Sequence, residues 1–203
     1  MMRLPKIYLA SQSPRRQQLL TQMGVRFELL LPSDVAAAEA LEEELPGESS
    51  SSYVKRVTLL KLDSALHAMR QRQCQPRPIL CADTTVALDQ QIFGKPHDHA
   101  DAVRMLSTLS GRTHEVLTAV ALHTGSRTWC KVQRSRVTFD ALDPADIAAY
   151  VDSGEPMGKA GAYAIQGQAA VFTKRINGSH SGIMGLPLFE THQLLKRIAK
   201  EAS

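Results

Sequence analysis

The sequence predicts an α/β fold in which helices pack on a long central β-sheet. Apolar, β-rich segments and amphipathic helical segments mix along the whole chain instead of separating into blocks. The chain has 203 residues, 43% of them hydrophobic, which is enough for one domain or two intimate lobes with a substantial core. We find no internal repeat and no long low-complexity tract, so residues 1–203 are expected to form a single domain.

The chain begins with the pattern of a strand, a helix and a second strand. Residues 6–10 are short and apolar, which indicates a buried strand. Ser13 and Pro14 are typical of a helix N-cap and first turn, and Gly24 is typical of the position after a helix end. Residues 25–31 then predict the next strand.

The central part of the chain predicts a loop, a long helix and a hairpin. Residues 32–49 mix Pro, Ser, Ala and Glu and predict a loop, with a short helix allowed in its acidic part. A helix is predicted over roughly 52–72, after a run of serines that offers an N-cap. Residues 78–88 predict a central strand, and Asp89-Gln90 favours a hairpin into the segment QIF.

The remaining elements are predicted from apolar periodicity and from the glycines and prolines that flank it. The predicted helices cover residues 99–111, 143–154 and 188–201. The predicted strands cover residues 114–124 and 127–140, which form a hairpin, and two short segments near 162–176.

Composition excludes several classes of function. The formal net charge of +4 and the pI near 9.1 come without a basic run, and aromatic residues make up only 5%, so we expect no nucleic-acid binding. The three cysteines are far apart and form no C-x-x-C pair, which favours reduced thiols in a cytoplasmic protein. No apolar stretch suits a signal peptide or a membrane span, so no membrane partner is expected.

The segment from Ser11 to Arg16 (SQSPRR) is the first candidate site. A strand here leads into a helix N-terminus, whose free N–H groups attract anions. Arg15 and Arg16 match phosphate by bidentate donation, although the helix dipole disfavours cations in the first turn. That local cost suggests an anionic ligand; the alternative is an ordinary capped helix with solvated arginines.

Four further residues are candidates, each with a structural alternative. Asp83, next to Thr84 in an apolar strand, suits a metal ligand or a general base, or simply caps a turn. Lys95 in Gly-Lys-Pro can hold a phosphate or be a solvated turn residue, and Lys61 is one of many charged helix residues. Gln166, predicted at a strand end beside a glycine, can read a base edge or lie on the surface.

Other segments give weaker signals. His97-Asp98-His99 is rejected as a metal cluster, because no third ligand is evident and the residues fit a helix start. Residues 110–114 favour a helix stop before a strand, with a phosphate loop as the alternative. The glycines near 177–187 fit close backbone approach or tight turns equally well. No Walker A, Rossmann or nucleophile-elbow motif is present.

Taken together and in this order, the segments resemble the Maf-like family of nucleotide pyrophosphatases. The matching motifs are S-x-S-P-R-R (11–16), Y-V-x-R-x-x-x-x-K (53–61), A-D-T (82–84), G-K-P (94–96), S-G-x-T-H (110–114), Y-x-I-Q-G (163–167) and G-L-P (185–187). The resemblance covers almost the whole chain, from about residue 7 to residue 198.

The resemblance implies an elongated mixed sheet with two lobes around a cleft, similar to the inosine-triphosphate pyrophosphatases. It implies hydrolysis of a nucleoside triphosphate between the α- and β-phosphates, a divalent cation (Mg or Mn) and a homodimer. Asp83 corresponds to the family's proton acceptor and is also a candidate metal ligand. The matching site residues are Ser11, Arg15, Arg16, Lys61, Asp83, Lys95 and Gln166.

The resemblance also extends to a branch of the family and includes one departure from it. Arg15, Thr84 and Gln166 match the three specificity positions of the dTTP/UTP branch. The family's usual Asp-Glu pair after the second strand is absent, because Asp34 is followed by Val and alanines. The second acidic residue is therefore left open among Glu39, Glu42, Glu43 and Glu44.

Two other functions compete with hydrolysis. The chain can be a nucleotide-binding regulator of cell division or septum formation that does not cleave its ligand. It can also be a nucleic-acid-binding protein, as a pI near 9.1 alone suggests. Asp83 is present together with the cations Arg15, Arg16, Lys61 and Lys95, which favours catalysis over a purely regulatory role. The low aromatic content argues against nucleic-acid binding.

Overall fold

A computed structural model describes residues 5–32 and 42–201, and within these ranges one mixed sheet is flanked by helices. The predicted α/β class is therefore confirmed. The strands are β1 (Ile7–Leu9), β2 (Phe27–Leu29), β3 (Ile79–Leu88), β4 (Gln91–Phe93), β5 (Thr113–His123), β6 (Thr128–Phe139) and β7 (Thr173–Asn177). The helices are α1 (Pro14–Gln22), α2 (Ser50–Gln71), α3 (His99–Leu109), α4 (Pro144–Asp152), α5 (His180–Met184) and α6 (Leu188–Glu201).

The sheet has the strand order β2-β1-β3-β5-β6-β7, with β4 paired to β3 outside this path. β1 runs parallel to β2 and β3, as expected of strands joined by helical crossovers. The pairs from β3 to β7 are antiparallel, as short connections such as the predicted β5–β6 hairpin allow.

Strand β3 has an open edge in its middle. One of its sides pairs with β5 continuously from Ile79 to Ala87. On its other side, β1 pairs with Ile79 and Leu80, and β4 pairs only from Val86 onward. Among the described residues, the stretch between these contacts has no strand partner on that side. Asp83 and Thr84 lie in this gap.

Apolar side chains pack against both faces of the sheet. On one face, one cluster joins β1, α1 and α6, and a second joins α3, α4 and the far ends of β3 and β5. On the other face, α2 buries Tyr53, Val54, Val57 and Leu62 against β3 and β5. The long helix predicted over roughly 52–72 is therefore confirmed, and Ser49 caps it by accepting from the Ser52 amide.

The prediction of two strands near 162–176 is wrong in its first half. Ala160–Ala162 and Gln168–Phe172 are 3-10 segments, and only β7 is a strand. Gly161 and Ala162 have φ values of 69° and 58°, which no strand residue adopts. Backbone hydrogen bonds here are local, for example from the Gly167 amide to the Ala164 carbonyl, so Gln166 lies in a turn and not at a strand end.

Smaller differences concern short elements. β2 is three residues long, shorter than the predicted 25–31. Helix α5 is missing from the prediction, and its Ser179 N-cap accepts from the Gly182 amide. The allowed acidic helix finds no support over residues 42–49, and its remaining part lies outside the described residues. No helix within those residues is long and apolar enough to cross a membrane.

His114 is a buried histidine at the interior of the sheet. It is 1% exposed, its Nε2 hydrogen-bonds with the Tyr163 hydroxyl at 2.9 Å, and its ring packs edge-on against Phe139. Burial lowers the pKa of His114 to about 4 from 6.5. The segment 110–114 is thus a helix stop leading into a strand, as the sequence favoured.

We predict that the free energy of unfolding falls as the pH decreases from about 6.5 to about 4 because of His114. In this pH range the His114 imidazole is protonated in the unfolded chain but not in the folded chain, so the free energy of unfolding rises with pH. A pKa shift of this size corresponds to a change of about 3 kcal/mol in the free energy of unfolding. Denaturant unfolding at several pH values should give a flatter profile for His114→Phe than for the wild type. The exposed-histidine control His99→Asn should keep the wild-type slope, and equal slopes in all three proteins contradict the assignment.

Candidate active site

A cavity of about 410 Å³ lies at the open edge of β3. All of the site residues predicted from the sequence line it. They are Ser11, Arg15, Arg16, Lys61, Asp83, Thr84, Lys95 and Gln166. These residues come from five separate parts of the chain, which the fold brings to one place.

A chain of ion pairs crosses the cavity. The Lys61 ammonium contacts Asp83 Oδ1 at 2.6 Å and Glu42 Oε1 at 2.6 Å. The Lys95 ammonium contacts both carboxylate oxygens of Glu42, at 3.0 and 3.2 Å. Because Lys61 comes from α2 and Asp83 from β3, their pairing ties the helix to the central strand at the point where the sheet is open.

The opposite charges in this cluster shift the pKa values of Lys61 and Glu42. Burial disfavours the ammonium of Lys61, but the carboxylates of Asp83 and Glu42 outweigh this effect and raise its pKa. Burial likewise opposes ionisation of Glu42, while Lys61 and Lys95 lower its pKa below the usual value. The cluster therefore favours the ammonium form of Lys61 and the carboxylate form of Glu42.

Three of the four acidic residues left open by the sequence are described by the structure, and among these three Glu42 is the one that lines the cavity. The Tyr53 hydroxyl donates to the Glu42 carbonyl at 2.9 Å, which fixes the backbone at this point. Glu43 and Glu44 do not line the cavity. Asp34 and Glu39 lie outside the described residues. With four glutamates in six positions, nothing in the spacing alone distinguishes Glu42.

Backbone carbonyls near α5 hold the two arginines of α1. Arg15 Nε donates to the Met184 carbonyl at 3.2 Å, and Arg16 Nε donates to the Gly185 carbonyl at 2.8 Å. Arg16 also reaches the Ser11 hydroxyl at 3.0 Å and the Thr84 hydroxyl at 3.4 Å. Burial, followed by the charge of Arg16, lowers the pKa of Arg15. The fold thus places two cations side by side at a cavity wall.

The N-terminus of α1 faces the same cavity. Ser13 is its N-cap residue, but the described structure contains no capping hydrogen bond from the Ser13 side chain. Pro14 occupies the first turn, and residues 11–16 all line the cavity. The amide groups of this turn and the positive end of the helix dipole are therefore available to an anion.

The cavity lining also includes Gln166 and Lys159, a lysine that was not predicted from the sequence. Gln166 is exposed in its turn. Lys159 Nζ donates to the carbonyls of Glu155 and Met157, and burial together with nearby Arg15 lowers its pKa. Lys159 follows a glycine, as Lys95 does, and this shared context is the one sequence signal that could have identified it.

The donor set fits a hard divalent cation. Asp83 and Glu42 supply carboxylate oxygens, and Mg²⁺ is commonly bound through one or two carboxylates, substrate phosphates and water. No group of three or more His, Cys, Asp or Glu side chains suited to a metal occurs in the described ranges. The rejected His97–His99 segment is indeed a helix start, since Asp98 accepts from the Asp101 amide at 2.8 Å.

We predict that Lys61→Met lowers the thermal stability of the ligand-free protein. It leaves Asp83 and Glu42 without their shared cation, and losing hydrogen bonds to charged groups of this kind costs about 2 kcal/mol, or roughly 4–8 °C. Added Mg²⁺ or Mn²⁺ should restore more stability to this variant than to the wild type. Melting curves with and without metal, alongside Lys61→Arg, test this. An unchanged melting temperature, or no extra response to metal, contradicts the described role of Lys61.

Comparison with known proteins identifies the family. The model of the Maf-like protein family matches residues 6–198. A dTTP/UTP pyrophosphatase of Albidiferax ferrireducens is 60% identical over 190 residues, covering 94% of this chain and 95% of the relative. A dTTP/UTP pyrophosphatase of Cupriavidus pinatubonensis is 58% identical over 191 residues, covering 94% and 96%. Among solved structures, the Staphylococcus aureus Ham1 protein matches with a TM-score of 0.35 and 12% identity, covering 66% of this chain and 71% of that one. The chain belongs to the Maf-like protein family.

Proposed function

We propose that this chain hydrolyses nucleoside triphosphates, preferentially dTTP and UTP, to the monophosphate and pyrophosphate. Two relatives at 58–60% identity, matched over nearly their full length, carry the name dTTP/UTP pyrophosphatase. The observation that carries the proposal is the ion-paired cluster of Lys61, Asp83, Glu42 and Lys95 in one cavity with two arginines. Such an arrangement combines a polyanion site with a carboxylate suited to proton transfer.

Asp83 is the residue to which we assign the chemical step. Hydrolysis forms a bond from a water oxygen to the α-phosphorus and breaks the bridging bond to the β-phosphate, so that pyrophosphate leaves. Asp83 accepts the proton of the attacking water, holds the metal, or does both. The contact from Lys61 to Asp83 Oδ1 at 2.6 Å orients this carboxylate.

The cations bind the triphosphate. A triphosphate carries about four negative charges, and phosphoryl transfer depends mostly on positioning and electrostatic stabilisation. Arg15 and Arg16 offer forked donors beside the N-terminus of α1, and Ser11 adds a hydroxyl. Lys61 and Lys95 line the same cavity and act as point charges. When the substrate binds, its phosphates replace part of the attraction that Glu42 supplies to Lys95.

The cofactor that we propose is Mg²⁺ or Mn²⁺. When bound, the metal would neutralise phosphate charge and polarise the bond that breaks. Asp83 and Glu42 are the residues that would hold it, since both present carboxylates to the cavity. In the structure both carboxylates contact the Lys61 ammonium, whose positive charge offsets the repulsion between them.

Gln166, Arg15 and Thr84 are the proposed specificity residues. The amide of Gln166 can donate to O4 of thymine or uracil and accept from the N3–H. Because an amide can rotate to match cytosine as well, its orientation must be fixed by neighbouring groups. Thr84 shares hydrogen bonds with Thr118 at 2.9 Å and with Arg16 at 3.4 Å, so its role is to shape the arginine wall.

Cytoplasmic location and homodimerisation are part of the same proposal. Cys74, Cys81 and Cys130 are free thiols, and burial raises the pKa of Cys81 to about 11, which keeps it unreactive. Free thiols are typical of reducing compartments. The homodimer is proposed from the family resemblance, and light scattering of the purified chain tests it.

We predict that dTTP and UTP release pyrophosphate, and not orthophosphate, in the presence of Mg²⁺ or Mn²⁺. The reason is that Asp83 and the cations converge on one cavity in which a triphosphate can be bound on both sides of the α–β bridge. A coupled pyrophosphate assay with nucleotide chromatography measures both products. Nucleoside diphosphate with orthophosphate as the first products contradicts the proposal, and binding without turnover supports a regulator instead.

We predict that Asp83→Asn lowers turnover by roughly 10²–10⁴-fold while the protein stays folded. Retained or tighter dTTP binding with lost turnover favours the proton-acceptor role. Loss of both, with partial rescue at high metal concentration, favours the metal-ligand role. Asp63→Asn is a matched control, because it makes the same chemical change at an exposed position of α2. Near-normal turnover in a folded Asp83→Asn protein removes Asp83 from the active site.

A further inference from the structure

We propose that Tyr150 and Glu155 are positioning residues that fix the turn carrying Gln166 and thereby determine which base the site accepts. The inference rests on the proposed function, because it assigns a task to the supports of a residue proposed to read the base. Neither Tyr150 nor Glu155 lines the cavity, so both act on a ligand only through the residues that they hold in place.

The two residues hold the turn at both of its ends. The Tyr150 hydroxyl accepts from the Ala164 amide at 3.2 Å and donates to Glu155 Oε1 at 2.9 Å. The other carboxylate oxygen of Glu155 accepts from the Gln168 amide at 3.2 Å. Gln166 lies midway between the two anchored amides. Its backbone is therefore held by a single connected network.

Glycine at position 167 is required by this arrangement. A Cβ atom on Gly167 would lie 2.3 Å from Glu155 Oε1 and 2.6 Å from Oε2. The carboxylate thus packs directly against the backbone of the turn, beside the residue that follows Gln166. The Gly167 amide also donates to the Ala164 carbonyl at 2.9 Å and closes the turn. Any side chain here must displace Glu155.

The network is itself anchored in the core. Tyr150 is 4% exposed, and its ring packs edge-on against Phe172 with centroids 5.3 Å apart. Burial, reinforced by the charge of Glu155, raises the pKa of Tyr150, so the phenol remains a donor. The Ser153 hydroxyl accepts from the Glu155 amide at 3.2 Å, and Lys159 donates to the Glu155 carbonyl. The turn is therefore tied to α4 and its C-terminal loop.

A rigidly held turn restricts the orientation of the Gln166 side chain, which a glutamine needs in order to distinguish between bases. A freely rotating amide matches either pyrimidine pattern, so discrimination requires a fixed backbone and a restricted side chain. The proposed phosphate-binding cations, Arg15, Arg16, Lys61 and Lys95, lie outside the segment from Ala164 to Gln168 that Tyr150 and Glu155 hold. Loosening the turn should consequently change base preference and KM, and leave kcat for the preferred substrate almost unaltered.

The test is Tyr150→Phe, which keeps the ring and removes only the hydroxyl. We expect kcat/KM for dTTP to fall about tenfold, mainly through KM, and the preference for dTTP over dCTP to fall by a similar factor. Glu155→Gln, which keeps one acceptor oxygen, should lie between this variant and the wild type. If Tyr150→Phe fails to fold, Glu155→Gln still tests whether the hydrogen bonds to the turn determine base preference.

Two further variants separate the possible failures. Tyr8→Phe removes a buried tyrosine hydroxyl bonded to the Gln75 carbonyl, outside the cavity lining, and should keep the wild-type preference. Gln166→Ala shows the effect of losing the base reader itself. If the wild type releases no pyrophosphate, the proposed function fails and this inference falls with it. If Gln166→Ala loses the preference while Tyr150→Phe and Glu155→Gln keep it, or if they lower kcat equally for every nucleotide, the inference alone is overturned.

Discussion

The ion pair between Asp83 and Lys61 is the contact on which the rest of the site depends. A carboxylate that is 8% exposed on a central strand is costly unless a cation and hydrogen bonds compensate it. Lys61 supplies that charge from α2, so the long helix must lie across β3 at this point. The same ammonium attracts Glu42, and Glu42 attracts Lys95. One buried carboxylate thus organises groups from four parts of the chain.

The other cations of the cavity are held by dipoles instead of charges. Arg15 and Arg16 donate to the Met184 and Gly185 carbonyls, which neutralise neither of them. Two adjacent arginines at a helix N-terminus repel each other and oppose the helix dipole. An anion removes both costs. Among the described residues no carboxylate forms an ion pair with either arginine, so this wall of the cavity carries positive charge that an anion would stabilise.

The sequence predicts those parts of the fold in which periodicity and capping decide the structure. The helix after Ser13, the strand that contains Asp83 and the hairpin at Asp89-Gln90 are local features, and the structure confirms them. Which residues meet in the cavity depends on long-range packing, so the ordered family motifs identified them and composition could not. Gln166 was misplaced because its apolar, glycine-containing surroundings resemble a strand, whereas the amides there bond locally and to side chains.

The open edge of β3 explains how neighbouring residues on one strand serve different purposes. Side chains alternate between the two faces of a sheet, so Asp83 and Thr84 point in opposite directions. Asp83 meets α2 and Lys61, while Thr84 meets Arg16 and, through Thr118, the carbonyl of Gly182. In a fully paired sheet these two groups could not reach one ligand. The pairing of β1 with β3 ends before Asp83, and the pairing of β4 with β3 begins after Thr84. The cavity therefore extends around the open edge of β3, and both side chains line it. The two arginines and the Asp83 carboxylate therefore reach one cavity from opposite faces of the sheet.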